Sequence, residues 1–176
     1  LNFEEIHLDN KDLEMSDKLI FDNSFEIFEN NPKLFFLGGD HSISFSIAKA
    51  FKEYCAVNKK TPCLIIFDSR PNLDFFNKYS GDIPNNTQWL RGLIEFGFNP
   101  QNILIVGVRR FSKKEIDYLN EKKIRFVSMN YLQANLHEAC DTIMEFSNGK
   151  ELYLSVDFSV LDPSVSPSST FHDPAG

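Results

Sequence analysis

Five short runs of mostly apolar residues, each followed by a stretch with helical spacing or by turn residues, set what this chain can fold into. They lie at residues 33–37, 63–67, 102–107, 124–128 and 151–156. Their apolar residues are continuous rather than alternating, so both faces of each strand need cover. That is the pattern of a parallel sheet between helical layers. Helical spacing places helices over residues 12–29, 42–54, 87–96 and 112–121, and from 132 or 135 to 146. Asn148-Gly149 follows as a helix stop. Residues 69–86, with Pro71, Gly81, Pro84 and an Asn-Asn pair, read as loop. The expected fold is α/β, a three-layer αβα sandwich around a mainly parallel sheet.

In such sheets ligands bind outside the carboxyl ends of the strands. Three of the runs end on groups that ligate metals. Gly38-Gly39-Asp40-His41-Ser42 follows the first, Asp68 the second and Asp157 the last. Carboxylates with one imidazole suit Mn²⁺, Mg²⁺ or Zn²⁺. The same acids also serve as helix N-caps or turn formers, and both readings stand at this point. Asp40 is expected to bond the amides of its own turn, and Asp162-Pro163 to shape the loop after the last strand. His172 and Asp173 fall in the final loop, and His7 and His137 read as surface residues.

A formal net charge of −7 argues against a nucleic-acid partner or an anionic membrane surface. No apolar run approaches the roughly 20 residues that span a bilayer, and no signal peptide is visible. A cytoplasmic protein is expected. Cys55, Cys63 and Cys140 fit no metal-ligand spacing and read as small buried apolar residues in a reducing compartment. The length suits a single domain over 1–176. The chain opens on Leu1 and stops at Gly176 in loop sequence, so a fragment lacking flanking segments is the other expectation.

Taken in order, the strand-end segments resemble the arginase and agmatinase family of ureohydrolases. That family carries Gly-Gly-Asp-His-Ser, then Asp-Ala-His-x-Asp, then Ser-x-Asp-x-Asp-x-x-Asp-Pro and a Pro-Gly-Gly turn. Here the first is intact at 38–42, and the second reads Asp68-Ser69-Arg70-Pro71-Asn72. The third begins Ser155-Val156-Asp157-Phe158-Ser159 and ends Asp162-Pro163, and the turn is Pro174-Ala175-Gly176. Gly107-Val108-Arg109 is similar to the family's Gly-x-Arg strand end, so the likeness runs from Lys33 to Gly176.

The resemblance implies an arginase-like domain, a homo-oligomer, and hydrolysis of a guanidino or amidino C–N bond by water activated between two Mn²⁺ ions. It implies metal ligands at His41, Asp68 and Asp157. At the other ligand positions stand Arg70, Asn72 and Ser159, and Asn85-Asn86-Thr87 replaces a His-Gly-Thr loop. Two carboxylates beside a fixed cation poorly neutralise two divalent ions. One Mn²⁺ at most is therefore expected, with Asn72 and Asp74 as weaker ligand candidates. If Arg70 instead bridges Asp68 and Asp157, its guanidinium stands in for the ion and no metal is needed. The function expected is a small-molecule ureohydrolase. The alternative is a catalytically impaired pseudoenzyme, or a binding or assembly domain.

Overall fold

The computed structural model describes residues 4–9, 11–169 and 172–176. Strands β1 (Pro62–Phe67), β2 (Ile103–Val108), β3 (Arg125–Ser128) and β4 (Glu151–Val156) form one parallel sheet in the order β3-β2-β1-β4. β1 is central and apolar throughout, and its side chains alternate between two cores as a pleated strand requires. Leu64 and Ile66 pack with Phe45, Trp89, Leu93 and Leu119 on one face. Cys63 and Ile65 pack with Ala139 and Phe146 on the other.

The helices are α1 (Leu13–Asn30), α2 (Ser44–Val57), α3 (Trp89–Glu95), α4 (Lys113–Lys122), α5 (Met129–Ala134) and α6 (Leu136–Ser147). Asp12 caps α1 by accepting from the Met15 amide. Ser112 and Glu115 close a reciprocal capping box on α4. Of the two starts expected for the last helix, 135 agrees with α6, and α5 precedes it as a separate short helix because the chain leaves helical geometry at Asn135.

Two expectations need correction. Residues 33–37 form no strand, and among the described residues 33–39 make no backbone–backbone hydrogen bond. They stand apart from β4 across a groove of about 630 Å³, so no partner strand lies within ladder distance. Cys140 is exposed, whereas Cys55 and Cys63 are buried, because α6 turns Ala139 and Phe146 inward.

β4 is consequently an edge strand, and Leu152, Leu154 and Val156 stand exposed along it. An apolar edge of this kind is a template for association. Leu154→Lys is expected to lower self-association of the purified protein, read by light scattering against concentration. Unchanged scattering would mean that this face is not what associates. Among the described residues no helix is long and apolar enough to cross a membrane.

Candidate metal centre

His41, Asp68 and Asp157 meet at the carboxyl edge of the sheet. Asp68 follows β1 and Asp157 follows β4, two strands paired in register from Pro62–Glu151 to Phe67–Val156. Their acids are therefore neighbours. His41 arrives from the turn before α2, where Asp40 accepts from the Ser42 amide and hydroxyl. One ligand atom from each of the three lies within 4.8 Å of the other two.

His41, not Arg70, joins the two acids. Its Nε2 is 3.1 Å from Asp68 Oδ2 and 3.1 Å from Asp157 Oδ2, and its Nδ1 is 2.9 Å from Ser44 Oγ. The ring stacks on the buried Trp89 indole at 5.1 Å between centroids. Burial pushes the imidazole toward its neutral form. The hydrogen bonds to Asp157 and Asp68 outweigh that and raise its pKa from 6.5 to about 9. Burial also disfavours the Asp157 anion, but His41 and the Ser159 hydroxyl and amide hold its pKa down at about 2. Asp157 does cap a turn as well: it accepts from the Ser159 amide at the start of a 3₁₀ turn, Phe158–Val160.

These shifts fix a pH dependence for the metal-free protein. A raised His41 pKa adds stability that is whole below 6.5 and is lost as pH climbs through about 9. The lowered Asp157 pKa adds stability present above 3.8 and lost as pH falls through about 2. Urea unfolding of the metal-free protein should therefore show a plateau between those limits. A loss of about 3 kcal/mol is expected on the alkaline side, and His41→Ala should flatten it. A wild-type profile that stays level across the alkaline arm would contradict the charged His41 bridge.

The three substituted positions behave as hydrogen-bonding groups. Asn72 is buried and donates from Nδ2 to Asp68 Oδ2 at 2.6 Å. Ser159 donates from Oγ to Asp68 Oδ1 at 2.9 Å. The Arg70 amide donates to Asp68 Oδ1 at 2.9 Å, while its guanidinium forks onto Asp173, Nε to Oδ2 at 2.8 Å. The expected Arg70 bridge between Asp68 and Asp157 thus gives way to a pair with Asp173, a counter-ion that the sequence reading placed only in the final loop. Burial disfavours the Asp173 anion, and Arg70, Ser69 and Arg110 still hold its pKa below the usual carboxylate range. Asp74 is exposed and lies outside the His41, Asp68 and Asp157 group. His7, His137 and His172 are exposed.

Arg109 is the organiser that spacing alone did not reveal. Its guanidinium donates to the carbonyls of Gly107, Ser159, Val160, Leu161 and Asp173. It thereby pins the loop after β4 to the end of β2. A planar fork with five donors is what such a cluster of carbonyls needs. The Gly-x-Arg motif was the one available signal.

The donor set fits one divalent ion: a nitrogen and two carboxylates within reach of a common point. Asn72 and Ser159 donate to Asp68 from two of the other ligand positions.

The arginase family model matches residues 3–176. Among curated relatives, formimidoylglutamase of Bacillus subtilis is 28% identical over 98% of this chain and 54% of its own length. Agmatinase of Bacillus anthracis is 27% identical over 76% of this chain and 42% of its own. The chain thus spans about half the length of these relatives. The crystal structure of the B. subtilis formimidoylglutamase superposes with a TM-score of 0.82 over 97% of this chain and 54% of that one, at 26% identity. Arginase from the same species gives 0.78 over 97% of this chain and 64% of its own, where 18% identity speaks for the fold alone. The His, Asp and Asp convergence, the parallel sheet that produces it and the family match over residues 3–176 agree: this chain belongs to the arginase family.

Proposed function

We propose that this domain holds a single divalent cation, Mn²⁺ by family habit, on His41, Asp68 and Asp157. It would serve a ureohydrolase whose binuclear chemistry is impaired. What carries the reading is that one ligand atom from each of these residues lies within 4.8 Å of the others, while Asn72 and Ser159 turn donors toward Asp68. The substrate class follows from the relatives: a small molecule with a guanidino or amidino carbon. When bound, a divalent ion supplies Lewis acidity and lowers the pKa of water.

The chain's own residues have defined parts. Asp68 keeps one oxygen fixed by Ser159 and the Arg70 amide, which orients the other toward the cation position. His41 must give up its Nε2 proton before that nitrogen can ligate, and Asp157 and Asp68 are the groups that hold it. Trp89 covers one face of the imidazole and keeps water from it.

Asp68 is also fully satisfied by its hydrogen bonds. That favours a second reading, a catalytically impaired binding or assembly domain. Elemental analysis after Mn²⁺ loading, followed by assay on agmatine, arginine and formimidoylglutamate, separates the two. About one ion per chain is expected from the donor set. Near two would overturn the charge argument and restore binuclear chemistry. One ion without turnover, or no ion at all, selects the second reading.

A further inference from the structure

Asp173 belongs to a cluster that cation binding does not itself use. It is 3% exposed although it lies in a loop. Its carboxylate accepts from Arg70 Nε at 2.8 Å and Nη2 at 3.3 Å, from Arg110 Nη1 at 3.1 Å and from Ser69 Oγ at 3.0 Å. Its carbonyl accepts from Arg109 Nε at 3.1 Å and Nη2 at 2.6 Å. Side chains from the loops after β1 and β2 thus converge on one residue of a third segment. A buried carboxylate is tolerated only when it is paired and hydrogen-bonded this fully.

From Asp173 an unbroken line of contacts reaches the cation site. Ser69 Oγ is 3.0 Å from Asp173 Oδ2 and 3.1 Å from Ser159 Oγ, and Ser159 Oγ is 2.9 Å from Asp68 Oδ1. With the Ser159 hydroxyl also bonding Asp157, two hydroxyl protons serve four contacts. Bonds to charged acceptors are the stronger ones, so Ser69 turns its proton to Asp173 and Ser159 turns its own to the carboxylates of Asp68 and Asp157. With Asp173 neutral, the Ser69 proton is free to move to Ser159, and the grip on Asp68 changes.

We infer that Asp173 is a positioning residue for the cation site, acting on Asp68 through Ser69 and Ser159, with Arg70 as its counter-ion. This rests on the single-cation reading. Groups that hydrogen-bond a metal ligand typically change metal affinity 10- to 100-fold when removed.

Asp173→Asn and Asp173→Glu are compared with wild type by Co²⁺ titration, read in the visible absorption of the bound ion, with thermal unfolding to check the fold. The imidazole NMR resonances of His41 are recorded in the metal-free proteins. Asp173→Asn should lower Co²⁺ affinity by about 10- to 100-fold, alter the visible spectrum and shift the His41 resonances. Asp173→Glu, which keeps the charge, should recover part of the affinity. Wild-type affinity and spectrum in Asp173→Asn, with unmoved His41 resonances, would overturn the inference. If wild type takes up no Co²⁺, the single-cation reading fails, and the metal-free His41 resonances alone decide: moved supports the link, unmoved overturns it. If Asp173→Asn does not fold, Ser69→Ala cuts the same line of contacts while leaving the ion pairs in place. It should lose affinity, and wild-type affinity there overturns the inference.

Discussion

Asp68→Ala is expected to abolish cation binding and to destabilise the metal-free domain by about 3–5 kcal/mol, because it breaks a buried pair from one side. The Asp68 side chain is 3% exposed and the His41 side chain 11%. The carboxylate accepts from His41 Nε2, Asn72 Nδ2, Ser159 Oγ and the Arg70 amide. Alanine leaves all four donors facing a void, and two of those contacts lie in surroundings with little water. Asp68→Asn separates the contributions. It keeps the volume but removes the charge that holds the His41 proton, so stability should fall less while cation binding is still lost. Urea unfolding of the metal-free variants, with Co²⁺ titration of each, measures both effects. If Asp68→Ala unfolds at wild-type urea concentrations, the carboxylate is not the hub of this network.

Much of this centre was legible because strand ends are legible. The apolar runs at 63–67 and 151–156 became β1 and β4, each extended by at most one residue, and Asp68 and Asp157 follow them directly. Parallel pairing in register then makes neighbours of two acids 89 positions apart in sequence (157 − 68). The run at 33–37 misled because a strand needs a partner as well as apolar residues. β4 turns one edge to β1, and a groove separates its other edge from residues 33–37. The destination of the Arg70 guanidinium was hidden for a different reason. One acid, Asp68, lay near it in the motif, but the pairing went to Asp173, 103 positions away. No local spacing encodes that choice. It depends on how the loop after β4 folds back, and Arg109 sets that through carbonyls, which carry no side-chain signature. In α1, Leu13 falls outside the buried stripe of Ser16, Ile20, Ser24 and Phe28.

Gly107→Ala should cost roughly 2–6 kcal/mol from backbone strain plus overpacking. Gly107 sits where the β2–β3 register shifts between Val106 and Val108, a bulge at the rim of the site. Its φ is +92°, a conformation that L-residues rarely adopt. A Cβ there would stand 2.6 Å from Val160 Cγ2, 3.2 Å from Met129 Cε and 3.5 Å from the Asp68 carbonyl oxygen. The strain and the clash can be told apart. Val160→Ala removes the closest methyl and relieves the clash, but leaves φ as it was. The double variant Gly107→Ala/Val160→Ala should thus be more stable than the sum of the single losses by about 1–3 kcal/mol, the overpacking share. It should still fall short of Val160→Ala alone by the strain share, about 1–3 kcal/mol. Because the added methyl would displace Val160, whose neighbour Ser159 donates to Asp68, Gly107→Ala should also weaken Co²⁺ binding, and Val160→Ala should restore part of it. Strict additivity of the two substitutions would show that Val160 does not pack over this glycine. Wild-type stability in Gly107→Ala would show that the bulge is not held at positive φ.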